Sequence, residues 1–504
     1  MAFEKNNFSV ARKIALEKRQ ISVECNISAG ANVEKILTLA VNACVENQEV
    51  LNGVVNFAGA IDTKLVFLGE EEQINSINST CPFSSKFESV DIQPGQAPII
   101  DVKVVDYHID SVGGEMVKVT VTLEQIGFIV GNQDIGTISC HDDSVCLKNE
   151  EIEVIKFIGS SHEEIVVESE INLRENIKKI LLTESNVVVK SVESGVNFVT
   201  VTGDVVSRVL YLSENDKFES GYVYDVFKEE IEILGATRES RAEAEASVKQ
   251  NGVVVEIIQD DKGGKLALKV PVKINARAFG NETVSVISDL YSVKGEVSAT
   301  TSSFNMTEVC PIKNVEGKIE GSMTLDENSP RVDKLLFNGG NSVVITNNYI
   351  KEGEVFIEGI AKTTVVYLND ESSSLQSVLL EVPFALSEKI DCEEGANLLV
   401  DAIVCDVDVV VKKGREFYYD AKVKASINCC HDLLSGVISE ARATEEIDQK
   451  DYAMEIIFAP KGKELWDIAK SARVKEEQIV AQNPEVIFPT AEDTPLVLFE
   501  QRLQ

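Results

Sequence analysis

Two short segments concentrate the residue types that could do chemistry. One is Cys140-His141-Asp142-Asp143 with Cys146 close behind, and the other is Cys429-Cys430-His431-Asp432. Structural zinc sites favour paired Cys-x₂₋₄-Cys spacing, and neither segment has two such pairs. Adjacent cysteines on a strand would also point to opposite faces. We therefore predict no metal and no cofactor and interpret these cysteines as ordinary free thiols, with metal binding and redox cross-linking as alternatives.

Catalytic motifs are missing from the rest of the chain. Gly263-Gly264-Lys265 lacks the spacing of a phosphate-binding loop and precedes a strand pattern, so it is interpreted as a hairpin turn. The sequence has no Gly-x-Ser-x-Gly elbow and no His-Glu-x-x-His pair. We predict that the protein is not an enzyme and has no catalytic residues, with an enzyme hidden in a β-sandwich as a minor alternative.

Composition and charge narrow the class of protein. The chain has 504 residues, of which 44% are hydrophobic and 26% charged, as in ordinary globular proteins. It carries 83 acidic against 48 basic residues, and a net charge of −35 repels nucleic acid and anionic lipid. No apolar run approaches the roughly 20 residues that span a membrane. The basic pairs Arg12-Lys13 and Lys18-Arg19 are predicted to lie on a solvated face, with docking on an acidic neighbouring copy as the alternative. The charged N-terminal segment lacks the pattern of a signal peptide, which predicts a cytoplasmic protein.

One pattern occurs three times along the chain. The three copies, GAIDTKLVFL from Gly59, GDVVSRVLYL from Gly203 and GIAKTTVVYL from Gly359, align without gaps. Each copy is preceded by a short segment, VEKIL, IKKIL or VDKLL. Each copy is followed by a phenylalanine, which is Phe83, Phe227 or Phe384, and later by a hairpin glycine, which is Gly114, Gly264 or Gly414. Landmarks in one order at near-constant spacing indicate an internal repeat.

Each repeat has the signature of β-structure. Segments such as VKVTVTL and LKVPVKI alternate with period two, as half-buried strands do. We predict a mainly β protein of three sandwich-like or barrel-like repeats, at residues 1–148, 149–299 and 300–447, with Phe67, Tyr211 and Tyr367 in their cores. The polar runs at 298–305 and 441–450 are interpreted as junctions between domains.

Residues 448–504 have a different pattern. A strand (AMEIIFAP) precedes two helical segments (GKELWDIAKSAR and VKEEQIVAQNP), and PLVLFEQ closes as a second strand. This predicts a compact βααβ module that follows a polar linker and does not share a core with the repeats. Trp466, the one tryptophan, is predicted to lie in the module's core, with an exposed partner anchor as the alternative.

This tail resembles a LysM domain. The matching positions are the strand at 456–459, Gly462, Leu465-Trp466-x-Ile468-Ala469, Val474 and Asn483-Pro484. LysM domains usually have Gly-Asp-Thr where this chain has Gly462-Lys463-Glu464. The residue that would cap the first helix and line the sugar groove is therefore missing.

The three repeats resemble the SPOCS-type domains of spore-forming bacteria. The third is the closest match, and the first is the most divergent. SPOCS-type repeats followed by a LysM domain are similar to a clostridial family of spore-coat morphogenetic proteins. The resemblance implies a scaffold in the mother-cell cytoplasm at the forespore surface, whose LysM docks on the coat-assembly ATPase and associates with other coat proteins. The implied partner-binding residues are Trp466, Met454, Ile457 and Lys463. Exposed strand edges also predict self-association. The alternative function is a LysM binder of cell-wall peptidoglycan, with the repeats as spacers.

Overall fold

Antiparallel β-structure dominates the computed structural model, which describes residues 3–173, 175–260, 263–372, 374–446 and 454–499. Strands make up 76% and helices 4%, so the prediction of a mainly β protein is confirmed. Within these ranges both helices are far too short to cross a membrane.

Each repeat contributes seven strands. The first repeat contains β1 (Phe3–Ala15), β2 (Arg19–Ser28), β3 (Lys35–Leu51), β4 (Val54–Leu68), β5 (Ile74–Glu88), β6 (Ala97–Gly113) and β7 (Met116–Cys140). The second contains β8 (Val145–Asn172), β9 (Ile177–Ser194), β10 (Phe198–Ser213), β11 (Phe218–Glu232), β12 (Arg241–Val248), β13 (Val254–Asp260) and β14 (Gly263–Ser292). The third contains β15 (Gly295–Val309), β16 (Lys313–Thr324), β17 (Val332–Lys351), β18 (Glu354–Asn369), β19 (Leu375–Lys389), β20 (Asn397–Lys412) and β21 (Glu416–Glu446).

Two sheets face each other in every repeat. One is a three-stranded sheet, β3-β4-β5 in the first repeat, β9-β10-β11 in the second and β17-β18-β19 in the third. The other forms around the last, long strand (β7, β14 or β21), which pairs with the three remaining strands of its repeat. The predicted core residues Phe67, Tyr211 and Tyr367 are at most 4% exposed and lie in three separate cores, which confirms that prediction.

The glycine and phenylalanine landmarks are cross-strand partners. Gly59 pairs with Phe83, Gly203 with Phe227 and Gly359 with Phe384. At Gly359 an added Cβ would lie 2.7 Å from the Phe384 ring and 2.7 Å from the Val344 carbonyl oxygen. Each ring therefore covers a glycine on the neighbouring strand, which explains why the two residues recur together.

The three repeats also share cores with one another. Leu37 and Leu181, which end the first two of the short segments before the glycine landmarks, meet Phe337, which directly follows the third, and all three are at most 4% exposed. Phe8, on β1 of the first repeat, packs edge-on against Phe304, on β15 of the third, with ring centroids 5.6 Å apart. A cavity of about 210 Å³ lies between segments of all three repeats. The repeats therefore form one packed unit in the described part of the chain.

Two of the predicted junctions are strands instead. Residues 298–305 lie inside β15, and residues 441–446 belong to β21, which pairs with β15. Most of residues 298–305 face solvent, so a polar sequence there reflects exposure and not a linker. The remainder of the second run, residues 447–450, lies outside the described residues.

The prediction of a solvated basic face is wrong for Lys13. Its side chain is 4% exposed, and Lys13 Nζ lies 2.6 Å from Glu243 Oε2 of the second repeat. Arg12 is partly buried and bonds Asp432 of the third repeat at 3.0 Å. These cations hold repeats together because the acidic residues of neighbouring repeats meet them there.

The tail follows the predicted order of elements. It contains β22 (Met454–Ala459), α1 (Leu465–Ala472), α2 (Glu476–Gln482) and β23 (Thr494–Phe499). β22 and β23 pair in antiparallel register, so the ends of the tail lie side by side. Ala453, at the start of the predicted strand, lies outside the described residues.

Candidate functional site

The tail is built around its two-stranded sheet. Ala459, Leu496 and Leu498 point to one face of this sheet and pack with both helices. Gly462, at φ +78°, makes the turn into α1, and its N–H donates to the Thr490 carbonyl oxygen at 2.7 Å. The side chain of Glu464, at the N-cap of α1, makes no capping hydrogen bond, as expected from the missing Asp or Thr.

Trp466 packs against the second repeat. Its side chain lies in a cluster with Tyr291, close to the end of β14, and the two rings are edge-to-face with centroids 4.9 Å apart. Trp466 Nε1 donates to Asp289 Oδ2 at 2.8 Å, and Tyr291 Oη donates to the Val474 carbonyl oxygen at 2.8 Å. Aromatic contact and two hydrogen bonds therefore join the tail to the repeats.

Asp289 is the electrostatic centre of this contact. Lys470 Nζ lies 2.6 and 2.7 Å from its two carboxylate oxygens. Burial alone would raise the pKa of Asp289, but the hydrogen bonds from Lys470 and Trp466 favour the charged form and lower the pKa overall. Asp289 is therefore ionised at neutral pH and accepts both bonds as a carboxylate. Arg473 adds an outer ion pair, 2.8 Å from Glu296 of the third repeat.

The expectation that the tail does not share a core with the repeats is wrong. Tyr291 belongs to the same buried cluster as Trp466, Ile468 and Leu498, with Cys146 and Val293 packed against it. The reason is that β8 and β14 extend beyond the body of the second repeat and present their ends to α1.

The four residues implied in partner binding do not form one patch. Trp466 is 7% exposed and its N–H is already bonded within the chain, whereas Met454 is 54% exposed. Ile457 is half-buried and packs against the tail core. Lys463 is exposed in the turn before α1, 3.9 Å from Asp467. Of the four, Met454 has a large apolar surface facing solvent.

Met454 belongs to an apolar surface that we call the outer face. Strand alternation places Met454, Ile456 and Phe458 on the sheet side opposite to the tail core, across from Phe499, Val497 and Pro495 respectively. Phe458 is 73% exposed, Ile456 53% and Phe499 48%. Ile456, Phe458 and Phe499 were not among the predicted binding residues, although period-two alternation along β22 groups the first two with Met454.

The second cysteine segment is brought together with distant cysteines. Cys310 and Cys392 form a disulfide, and Cys429 Sγ lies within 4.8 Å of both sulfur atoms. As predicted for neighbours on a strand, Cys430 is in a different cluster from Cys429. In the first segment, Cys140, on β7, packs with residues of β8, β14 and β21, while Cys146 contacts the tail core. The other eight cysteines are free thiols.

A protein-family model matches two segments of the chain. The model of the family described as SipL, SPOCS domain matches residues 32–112 and 331–412. No curated protein and no solved structure shows significant similarity to the chain. The matched ranges contain β3–β6 of the first repeat and β17–β20 of the third. The first and third repeats are therefore similar to SPOCS domains over these two ranges.

Proposed function

We propose that this chain is a non-enzymatic scaffold of spore-coat assembly that docks through its tail on the coat-assembly ATPase. The SPOCS domains support a role in sporulation. The observation that carries the docking site is the outer face, where four large apolar side chains are 48–73% exposed side by side. Contiguous apolar surface of this kind marks interaction sites, whereas single exposed apolar residues are ordinary.

The outer face has the composition of an interface centre. Phenylalanine and methionine are enriched at interfaces, and covering one such side chain is worth about 1.5–3 kcal/mol. Phe458, the most exposed of the four, is the natural anchor. Trp466 supports docking indirectly in this proposal, because it fixes the tail on the repeats and leaves the outer face free. Ile457 packs beneath the face, and Lys463 lies outside it.

The proposal places the protein in the mother-cell cytoplasm at the forespore surface, with the tail as a LysM domain that binds protein. The βααβ order and the Leu465-Trp466-x-Ile468-Ala469 helix support the LysM assignment. Lys463 and Glu464 replace the usual Asp-Thr pair, which favours protein over glycan as the ligand. Contacts with other coat proteins and between copies would use the repeats.

The test is direct binding of the full chain to the purified coat-assembly ATPase. Phe458→Glu should weaken binding at least tenfold, because a charge replaces an apolar anchor. Leu234→Glu is the matched control: Leu234 is 71% exposed but lies in the second repeat, and its substitution should leave the affinity unchanged.

Equal binding by both variants and the unchanged chain would refute docking through the outer face. Co-sedimentation with insoluble peptidoglycan tests the cell-wall alternative, which would be supported if the full chain sedimented and failed to bind the ATPase.

A further inference from the structure

Four potential zinc ligands converge at one end of the third repeat. Cys310 follows β15, Cys392 follows β19, and Cys429 and His431 are two residues apart on β21. The three cysteines are 2–9% exposed and their sulfur atoms lie within 4.8 Å of one another. His431 Nδ1 lies 3.8 Å from Cys310 Sγ. From this geometry we propose that the thiol form of this cluster is a structural zinc site of the Cys₃His type.

The positions of the three sulfur atoms suit tetrahedral zinc, and His431, whose Nδ1 approaches Cys310 Sγ at 3.8 Å, would turn further toward them to become the fourth ligand. Zinc–sulfur bonds of about 2.3 Å place the sulfur atoms of a tetrahedral site about 3.8 Å apart, so modest side-chain rotations would complete the site. Cys429 and His431 point to the same side of β21 because side chains alternate along a strand. A disulfide between Cys310 and Cys392 employs two of the four groups and gives no role to Cys429 or His431.

The histidine is oriented by an outer carboxylate. His431 Nε2 lies 3.3 Å from Glu308 Oε2, and Glu308 also pairs with Arg241. A carboxylate accepts a hydrogen bond, so this pair suits the imidazole tautomer with its proton on Nε2, in which the lone pair of Nδ1 faces Cys310 Sγ. A carboxylate behind a histidine is the usual outer support of zinc-bound imidazole.

The first repeat shows how the same position is filled without ligands. Ile92 and Ile129 occupy the places of Cys392 and Cys429, 300 residues earlier, because Pro98–Ile129 and Leu398–Cys429 are equivalent strand pairs. Ile14, which pairs with Ile129, packs against them. An apolar cluster therefore suffices to close this end of a repeat, and the third repeat has thiols there instead.

Zinc binding requires the cysteines to be reduced. Two equivalents of a low-molecular-weight thiol reduce the Cys310–Cys392 disulfide to two thiols and leave as one disulfide. Zn²⁺ then replaces the three thiol protons of Cys310, Cys392 and Cys429 and takes the neutral Nδ1 of His431, which releases three protons. Bound zinc would tie β21 and the end of β15 to the loop after β19 and so join both sheets of the repeat.

The test uses the full chain, reduced with dithiothreitol, freed of the reductant without air and titrated with Zn²⁺ or Co²⁺ alone. We expect one equivalent of bound zinc, and with cobalt the sulfur-to-metal and ligand-field absorption bands of a tetrahedral thiolate site. Cys429→Ser should lose both. Cys430→Ser is the matched control, since Cys430 is the adjacent buried cysteine in a different cluster, and it should retain both. Glu308→Gln should weaken zinc roughly 10–100-fold.

A reduced chain that binds no stoichiometric metal, or lacks the thiolate bands, would overturn the proposal, as would equal binding by Cys429→Ser. If Cys429→Ser fails to fold, the triple variant Cys310→Ile/Cys392→Ile/Cys429→Ile copies the first repeat. Loss of zinc by that variant with an unchanged circular dichroism spectrum would support the proposal, and retained zinc would refute it.

Discussion

Asp289 is the residue whose removal best tests how the tail is attached. It lies near the end of β14 and accepts hydrogen bonds from Trp466 and Lys470 of α1. In Asp289→Ala both donors lose their acceptor, while the Tyr291–Trp466 ring contact keeps its atoms. We expect the tail to detach more readily while the β-repeats remain folded.

The size of the effect follows from the two bonds. A hydrogen bond to a charged group is worth about 1.5–3 kcal/mol, and the lower end applies because the Asp289 side chain is 36% exposed. The Lys470 pair, with side chains 44% and 36% exposed, adds about 0.2–1 kcal/mol. The total is about 2 kcal/mol, which would shift the equilibrium between the attached and the detached tail roughly 30-fold toward the detached form.

Detachment of the tail can be followed by the fluorescence of Trp466, because it is the one tryptophan in the chain. Urea titration followed by tryptophan fluorescence reports on the tail, and circular dichroism reports on the repeats. With a denaturant slope of about 1–2 kcal/mol/M, the fluorescence midpoint of Asp289→Ala should fall by roughly 1–2 M. Its emission in buffer should shift to the red as water reaches the indole.

Asp467→Ala is the matched control, since Asp467 neighbours Trp466 in sequence but its side chain is 52% exposed and 3.9 Å from Lys463. Its fluorescence midpoint should stay unchanged. If Asp289→Ala kept the emission maximum and the midpoint of the unchanged chain, the attachment inferred from these contacts would be wrong.

Three further predictions concern the repeats. Gly359→Ala should lower stability by about 1–3 kcal/mol in thermal unfolding, because its Cβ would press on Phe384, whereas Gly436→Ala, with its nearest neighbour atom 3.5 Å away, should be tolerated. Lys13→Met should lower the free energy of unfolding, measured by urea titration, by about 3–5 kcal/mol, because it leaves Glu243 buried without its closest cation. The double variant Lys13→Met/Glu243→Met should recover most of that loss. Burial lowers the pKa of Lys64 to about 8, whereas the pKa of lysine in unfolded chains is about 10.4. Between these two pH values the unfolded chain binds more protons than the folded chain. The free energy of unfolding should therefore rise from pH 8 to 10.5. Urea titrations between pH 8 and 10.5 would measure this rise in the free energy of unfolding. The rise should be smaller in Lys64→Met, which has no titrating amine at this position.

The local sequence pattern was sufficient to predict the strands of the repeats and the order of elements in the tail. Period-two alternation predicts strands, and the equivalents of Gly359 and Phe384 recur at near-constant spacing in every repeat because they are partners on adjacent strands. The βααβ order of the tail follows equally from spacing and from the Asn483-Pro484 stop. In these cases the interacting residues lie within one hairpin or one helix, so the sequence interval carries the information.

Contacts between distant segments could not be predicted. Lys13 and Glu243 are 230 residues apart, and Trp466 and Asp289 are 177 apart. In an acidic chain of 83 carboxylates, the identity of the partner of any one cation cannot be read from type or spacing. The cysteine cluster was missed for the same reason, since 82 residues separate Cys310 from Cys392.

The attachment of the tail and its proposed docking surface lie on different elements. Trp466 and Lys470, on α1, face the second repeat, whereas the outer face is formed by β22 and β23 on the sheet side away from the helices. One substitution can therefore disturb attachment and another can disturb docking. Asp289→Ala changes the attachment of the tail and keeps every outer-face residue. Phe458→Glu changes the outer face and keeps the residues that attach the tail. If attachment serves to orient the outer face, Asp289→Ala should weaken ATPase binding by the full chain less than Phe458→Glu does, because the detached tail keeps its apolar anchor.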